Sequence, residues 1–171
     1  MPTLTKKNYR IERILIKDAQ QYKNLRERAL ETDPEAFLLT PIEEKRLETE
    51  DIIKMLEKDY ILGVYEQNKL IGAIRLIEQE PIKFKHIGIV GGMYIIPSHR
   101  KQGYGCKLLE KLLVYTRSTQ KFYALQLKVV TTNFAAIKLY ESFSFRRWAT
   151  EKNALKVDGT YADQYHYQLI L

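Results

Sequence analysis

The residues best suited to chemistry lie in one short stretch, Arg100 to Gly105, with the sequence Arg-Lys-Gln-Gly-Tyr-Gly. This stretch joins a long apolar strand pattern to an amphipathic helix pattern. The first amides of a helix have no intrahelical partners and lie at the positive end of its dipole. Gly103 and Gly105 lack a Cβ, so the backbone there can approach an anion and adopt a positive φ. The pattern therefore predicts a phosphate-binding turn, with the neighbouring Arg and Lys side chains supplying positive charge.

The same stretch has a second interpretation, a tight strand-to-helix turn in which glycine serves geometry alone. A bare Gly-x-Gly pattern favours that simpler interpretation. The stretch is not a dinucleotide fingerprint, because Leu108 stands where the third glycine would be. It is not a Walker loop either, since that motif needs Gly-Lys followed by Ser or Thr. The surrounding sequence has to decide between the two interpretations.

That surrounding sequence resembles two blocks of the GNAT superfamily of N-acetyltransferases. The range 92–105 has the family's apolar strand, a proline and the pattern Arg-x-x-Gly-x-Gly before a helix. The range 133–145 is similar to the second block, Asn-x-x-Ala-x-x-Leu-Tyr-x-x-x-Gly-Phe, except that Ser144 replaces the glycine. The blocks occur in the family's order and at a family-like separation. By resemblance, the chain is identified as a member of this superfamily.

The resemblance implies a cofactor, acetyl-CoA or another short acyl-CoA. Main-chain groups of Met93 and Ile95 would contact the pantetheine arm between two splayed strands, and the amides of 102–106 would bind the pyrophosphate. A main-chain amide near Tyr94 or Ile95 would stabilise the oxyanion. No metal is implied. The full set of cofactor-binding residues implied in this way is Met93, Tyr94, Ile95, Arg100, Lys101, Gln102, Gly103, Tyr104, Gly105, Cys106, Asn133 and Ala136.

Tyr140 matches the family's catalytic acid, which protonates the departing thiolate. A phenol has a reference pKa about 1.5 units above that of a thiol. The alternative is that Tyr140 is an ordinary core aromatic on an apolar helix face. No base is assigned, because the strand pattern 87–96 lacks the glutamate that many relatives have there; His86, Glu78, Glu80 or a water chain could serve.

The acceptor site is less determined by the sequence. In this fold the first two helices and the last hairpin usually wall the substrate, which makes Arg26, Phe37, Leu38 and Tyr165 the candidates. The lone Cys106 raises the possibility of an acyl-enzyme, but it stands where the pyrophosphate-binding helix would begin. A structural or cofactor-contact role is therefore expected for it.

The element patterns follow the order β-α-α-β-β-β-α-β-α-β-β. Two helix starts are marked: Thr40 opens a capping box with Glu43, and Asn133 stands at the cap of a later helix. The expected fold class is α/β (α+β), a mixed, mostly antiparallel sheet of about seven strands with helices on both faces. One domain is expected over residues 1–171.

Composition and charge argue against a membrane, secreted or nucleic-acid-binding protein. The chain has 171 residues, 45% of them hydrophobic, and a formal net charge of +7. No apolar stretch approaches the roughly 20 residues of a membrane span, and the N-terminus lacks a signal sequence. The basic residues are scattered, which argues against a nucleic-acid-binding domain. A cytoplasmic protein, monomeric or homodimeric, without membrane or nucleic-acid partners is expected.

The expected function is acetyl-CoA-dependent N-acetylation of a primary amine on a small molecule or peptide, by direct attack in a ternary complex. The alternative is a catalytically silent acyl-CoA-binding sensor or regulatory module of the same fold. The presence of Tyr140 disfavours the silent module, whereas the missing strand carboxylate is compatible with it.

Overall fold

A seven-stranded sheet, with strand order β1-β2-β3-β4-β5-β7-β6, is the framework of the protein. A computed structural model describes residues 8–171. The strands are β1 Tyr9–Arg13, β2 Tyr60–Glu66, β3 Lys69–Glu78, β4 Ile87–Ile95, β5 Ala124–Val130, β6 Arg146–Val157 and β7 Thr160–Ile170. The α-helices are α1 Ala19–Thr32, α2 Pro41–Lys45, α3 Thr49–Lys58, α4 Tyr104–Thr119 and α5 Phe134–Ser142.

All neighbouring strands are antiparallel except β4 and β5, which are parallel. Helices α1 and α3 pack on one face of the sheet, and their buried residues include Leu25 and Ile52. Helices α4 and α5 pack on the other face, where Leu108 and Leu112 are fully buried. The predicted fold class is confirmed by this arrangement.

Both predicted helix caps form. Thr40 Oγ1 accepts a hydrogen bond from Glu43 N at 3.3 Å, and Thr40 N donates to Glu43 Oε2 at 2.8 Å, which completes the capping box. Asn133 Oδ1 accepts from Ala136 N at 3.1 Å. These bonds satisfy amides that have no partner within the helix. They fix where α2 and α5 begin, and both helices border the site described below.

A β-bulge in β4 opens the centre of the sheet. Arg75 of β3 pairs with Gly91, but Ala73 pairs with Tyr94, so β4 has one extra residue at this point. Gly92 has φ +57°, a value that glycine adopts without strain. A bulge bends its strand and increases the twist. Consistent with this bend, β4 pairs with β5 only over 87–89, and the two strands part beyond that point.

Within residues 8–171, no helix is both long and apolar enough to cross a membrane.

Candidate active site

A cavity of about 580 Å³ lies where β4 and β5 part. Its walls include the ranges 89–94 of β4 and 126–130 of β5. Residues of α1, such as Leu25, line it on one side, and residues of α5, such as Tyr140, line it on the other. Because α1 and α5 pack on opposite faces of the sheet, this single cavity passes through the sheet.

Tyr140 reaches the cavity from α5. Its side chain is 6% exposed, and its ring packs edge-on against Phe145 with centroids 5.9 Å apart. Burial raises the pKa of Tyr140 to about 12, because the apolar surroundings disfavour the phenolate. Its hydroxyl has no hydrogen-bond partner among residues 8–171. The phenol is therefore protonated at neutral pH and free to donate into the cavity.

Main-chain groups of β4 point to the side of the opening, and one of them, Ile95 O, accepts a hydrogen bond from Arg100. Ile96 N donates to Ile71 O of β3 at 3.0 Å. Amides alternate in direction along an antiparallel ladder, so Ile95 N points away from β3 and towards the opening. By the same alternation Tyr94 N is directed at β3. Of the two amides predicted to stabilise an oxyanion, that of Ile95 is directed at the opening, but Tyr94 and not Ile95 is among the residues that line the cavity.

The turn between β4 and α4 has the geometry of an anion cradle. Lys101 has φ +59° and Gly103 has φ +79°. The first helical hydrogen bond runs from Lys107 N to Gly103 O at 3.1 Å, which leaves the amides of 103–106 without helical partners. A Cβ built on Gly103 would meet no atom within 4 Å, so the space beside the turn is open. These features fit a diphosphate group.

Most side chains of this turn are engaged elsewhere. Arg100 Nε donates to Ile95 O at 2.9 Å, and its Nη2 donates to Asp33 Oδ2 at 2.5 Å. Gln102 Nε2 donates to Ser98 O at 3.3 Å. The Tyr104 ring is buried, and its hydroxyl donates to Glu66 at 3.1 Å. The groups that this turn offers an anion are thus mainly its backbone amides.

The remaining predicted residues divide between the cavity and other places. Met93, Tyr94, Asn133 and Ala136 line the cavity, as do the acceptor candidates Arg26, Phe37 and Leu38. Gly105 lies within α4, where a Cβ would be 3.4 Å from Leu139. Cys106 is exposed on α4 and is not among the residues that line the cavity.

Tyr165 does not reach this cavity. Successive side chains of a strand point to opposite faces, and in β7 Gln164 and His166 are the residues that face the cavity. Tyr165 and Tyr167 instead line a separate groove on the α5 side of the sheet. The acceptor role expected for Tyr165 therefore has no support in its position.

Residues 19–145, well over half of the chain, match a family model described as Acetyltransferase (GNAT) family. The chain belongs to the GNAT acetyltransferase family. Membership confirms the resemblance inferred from the two sequence blocks. It also confirms the predicted cofactor class, since acyl-CoA is the cofactor of this family, and it makes the protein an acyltransferase in the broad sense.

Solved structures share this GNAT fold. The acetyltransferase of GNAT family from Streptococcus pneumoniae has TM-score 0.87 and 23% identity, covering 96% of this chain and 100% of that one. The yncA protein of Salmonella typhimurium, solved with its cofactor acetyl-CoA, has TM-score 0.84 and 18% identity, with coverages of 95% and 94%. Ribosomal-protein-alanine N-acetyltransferase from Brucella melitensis has TM-score 0.83 and 21% identity, with coverages of 95% and 99%. No curated protein sequence matches the chain.

Beside Arg26, this GNAT cavity is lined by a carboxylate, Glu44, that sequence reasoning missed. Arg26 forms two bonds to Glu44, from Nε to Oε1 at 2.5 Å and from Nη2 to Oε2 at 2.7 Å. Burial opposes the charge on Arg26, but the hydrogen bonds to Glu44 outweigh it and raise the Arg26 pKa. The only local signal was the Thr40 capping box, which places Glu44 in the first turn of α2.

Two further cavity residues, Arg75 and His166, come from strands that are distant in sequence. Arg75 Nε donates to Asp59 Oδ2 at 2.6 Å, and His166 Nε2 lies 2.7 Å from Glu151 Oε2. Strand register brings these groups together, and no local motif marks them. Among residues 8–171, no cluster of three or more His, Cys, Asp or Glu side chains could hold a metal ion.

Proposed function

We propose that this GNAT protein is an acetyl-CoA-dependent N-acetyltransferase, which transfers acetyl to a primary amine by direct attack within a ternary complex. The observation that carries the proposal is the cavity that crosses the sheet at the β4–β5 opening with the Tyr140 hydroxyl inside it. Such a cavity admits two ligands from opposite faces. The similar structure from Brucella melitensis is that of a protein named ribosomal-protein-alanine N-acetyltransferase, which supports amine acetylation as the reaction.

The chain's own groups suit the cofactor. The amides of 103–106 would bind the diphosphate, and the main chain of Met93 would bind an amide of the pantetheine arm, as an added strand would. Bound acetyl-CoA supplies an activated thioester carbonyl. The Ile95 amide, directed at the opening, is the donor proposed for the negative charge that develops on the carbonyl oxygen.

Tyr140 is the proposed acid. Its phenol would donate to the thiolate as the carbon–sulfur bond breaks, and the proton is present at neutral pH because the ordinary pKa of 10.0 is raised further by burial. Gly91 borders the same cavity, and a Cβ there would meet no atom within 4 Å, so the β4 wall has room for the reacting groups. The position of Cys106 outside the cavity supports direct transfer over an acyl-enzyme on that thiol.

A thiol-release assay tests the proposal. Purified protein is incubated with acetyl-CoA and a panel of polyamines, amino acids, aminoglycosides, peptides with free N-termini, and simple alkyl and aralkyl amines. Calorimetry with acetyl-CoA and CoA runs in parallel, and we expect affinities in the micromolar range that is ordinary for metabolites. Amine-dependent thiol release supports the proposal. Binding without release on any amine supports the silent sensor, and no heat with either ligand contradicts both.

A further inference from the structure

Four basic residues line the cavity, and three carboxylates pair with them: Glu44 with Arg26, Asp59 with Arg75, and Glu151 with both Lys128 and His166. Glu44 is fully buried, and both of its oxygens accept hydrogen bonds from Arg26. Asp59 is also buried, and its Oδ2 accepts from Arg75. In each pair the guanidinium is largely buried as well. Each guanidinium borders the cavity as a hydrogen-bond donor whose charge is already neutralised.

Lys128 and His166 pair with a third carboxylate, that of Glu151. Lys128 Nζ lies 3.0 Å from Glu151 Oε2, and His166 Nε2 lies 2.7 Å from the same oxygen. The hydrogen bond from Lys128, followed by that from His166, lowers the pKa of Glu151. In the formal count, which takes histidine as uncharged, the lysine and the glutamate cancel. Among the described residues, the basic groups of the cavity and their partner carboxylates therefore sum to a formal charge of zero.

The rest of the wall is mainly apolar, apart from the amide side chains of Gln126, Asn133 and Gln164, and the apolar surface continues outwards to the rim. Tyr22, Leu25, Phe37 and Met55 line the interior on the α1 side. At the rim, Leu38 is 82% exposed and Trp148 is 58% exposed, although both line the cavity. They come from the α1–α2 connection and from β6, two segments far apart in sequence. Two large apolar side chains at one cavity mouth are typical of a surface that an apolar ligand covers.

Resting on the proposed function, we propose that the acceptor is a primary amine carried on an uncharged, largely apolar alkyl or aralkyl scaffold. A second charge on the acceptor, as in a diamine, an aminoglycoside or a free amino acid, would have to be desolvated without an unpaired countercharge nearby. Neutral oxygen atoms on the scaffold would be tolerated, because Arg26 and Arg75 can donate hydrogen bonds to them.

The same environment accounts for a site without a strand carboxylate. A charge-balanced apolar cavity disfavours an ammonium ion and so lowers the pKa of the entering amine. The neutral nitrogen then forms the carbon–nitrogen bond while the carbon–sulfur bond breaks. The sulfur takes the proton of Tyr140, the nitrogen loses one proton to water, and Tyr140 regains a proton from water. The products are one amide and one free thiol, and the enzyme is unchanged.

Matched amine pairs test the acceptor class. Pentylamine is compared with 1,5-diaminopentane, and 2-phenylethylamine with phenylalanine, so that each pair differs by one added charged group. We expect kcat/KM for thiol release to be at least about tenfold higher for the singly charged member of each pair, as the cost of burying an unpaired charge requires. Equal or better activity with the diamine or the amino acid would overturn the inference. No release with any of the four, in a protein that acetylates another amine, would overturn the inference and leave the proposed function intact.

Binding can be followed without turnover because Trp148 is the one tryptophan of the chain. Its position at the rim makes its fluorescence a report on the acceptor site. In the presence of CoA, which cannot transfer acetyl, we expect the apolar amines to shift the Trp148 emission at concentrations where diaminopentane and phenylalanine do not. A shift of equal size and midpoint with the charged amines would contradict the inference.

Two serine variants separate the rim from the rest of the surface. Leu38→Ser is expected to raise KM for pentylamine about fivefold or more, since it removes apolar contact area, while KM for acetyl-CoA stays the same. Ile82→Ser is the matched control, because Ile82 is 84% exposed but lies outside the cavity. An unchanged pentylamine KM in Leu38→Ser would count against the apolar rim.

Glu44→Gln, which leaves the Arg26 charge uncompensated, is expected to increase the relative activity on phenylalanine.

Discussion

At the scale of single residues, the environment of Tyr140 decides what it can do. A tyrosine on an apolar helix face is ordinarily a packing residue, and Tyr140 does pack against Phe145. Its hydroxyl, however, lies at a cavity wall without a partner among the described residues. Burial favours the protonated phenol, so the side chain is held in the form that an acid needs.

We expect Tyr140→Phe to lower kcat by about a hundredfold, the lower range for loss of a general acid, and to leave the affinity for acetyl-CoA within about twofold. Steady-state kinetics and calorimetry measure the two quantities. Tyr167→Phe is the matched control, since Tyr167 is equally buried, has a pKa raised to about 12, and lies outside the cavity. A kcat for Tyr140→Phe equal to that of the parent would remove the acid assignment.

The raised pKa of Tyr140 determines how its contributions to stability and to kcat change with pH. Burial raises the Tyr140 pKa from the ordinary 10.0 to about 12, so below pH 10 the residue is protonated in the folded and in the unfolded chain. Its contribution to stability is therefore complete below pH 10 and is lost as the pH rises through about 12. In the same way, the kcat profile of the parent should show no decline from Tyr140 ionisation between pH 7 and pH 10. A decline in that window that disappears in Tyr140→Phe would contradict this.

Residue-level prediction from sequence succeeded where a local block defines the position. Asn133 caps α5 as expected, and Tyr140 lies at the cavity, although its catalytic role stays a prediction. Tyr165 lines the groove on the α5 side of the sheet rather than the cavity, because successive side chains of a strand point to opposite faces. Glu44 and His166 were missed because their neighbours come from distant strands and helices.

At the scale of elements, the β4–α4 turn and the β4 bulge have different structural effects. The turn orients unpaired amides, and its positive φ at Gly103 allows the backbone to present them. The bulge at Gly92 bends β4 and accompanies its separation from β5. The sequence indicated the turn from its glycine spacing. The adjacent Gly91 and Gly92 were a signal for a bulge, but its exact register depends on pairing with β3.

Gly103→Glu should abolish acetyl-CoA binding, because its carboxylate would compete with the diphosphate for the amides at the start of α4. Gly103→Asn is the control, since asparagine tolerates a positive φ and has no charge. A side chain at this position meets no neighbouring atom, but the φ of +79° strains glutamate more than asparagine, so circular dichroism verifies the fold of both variants first. Calorimetry is the measurement. Unchanged binding in Gly103→Glu, or equal loss in both variants, would contradict a role for the amides in anion binding.

At the scale of the whole molecule, function depends on how far the sheet opens. Strand order along the chain and layer arrangement could be predicted, because helical and strand periodicities are local properties of the sequence. Two helices were expected between the first two strands, whereas the structure has three, α1, α2 and α3. The extent of the β4–β5 opening could not be predicted. It is set by where the pairing of the two strands stops, after three residue pairs whose members are distant in the chain. The chain has a formal charge of +7, yet the basic side chains that line the cavity are paired with carboxylates. The excess positive charge therefore lies elsewhere on the molecule.

A passage through the sheet that holds cofactor and acceptor together predicts a ternary complex. The most direct measurement is the initial velocity of thiol release with acetyl-CoA and an accepted amine varied against each other. We predict double-reciprocal lines that intersect, and the same pattern in Cys106→Ser. Parallel lines, the kinetic sign of a covalent acyl-enzyme, would contradict simultaneous occupancy of the cavity.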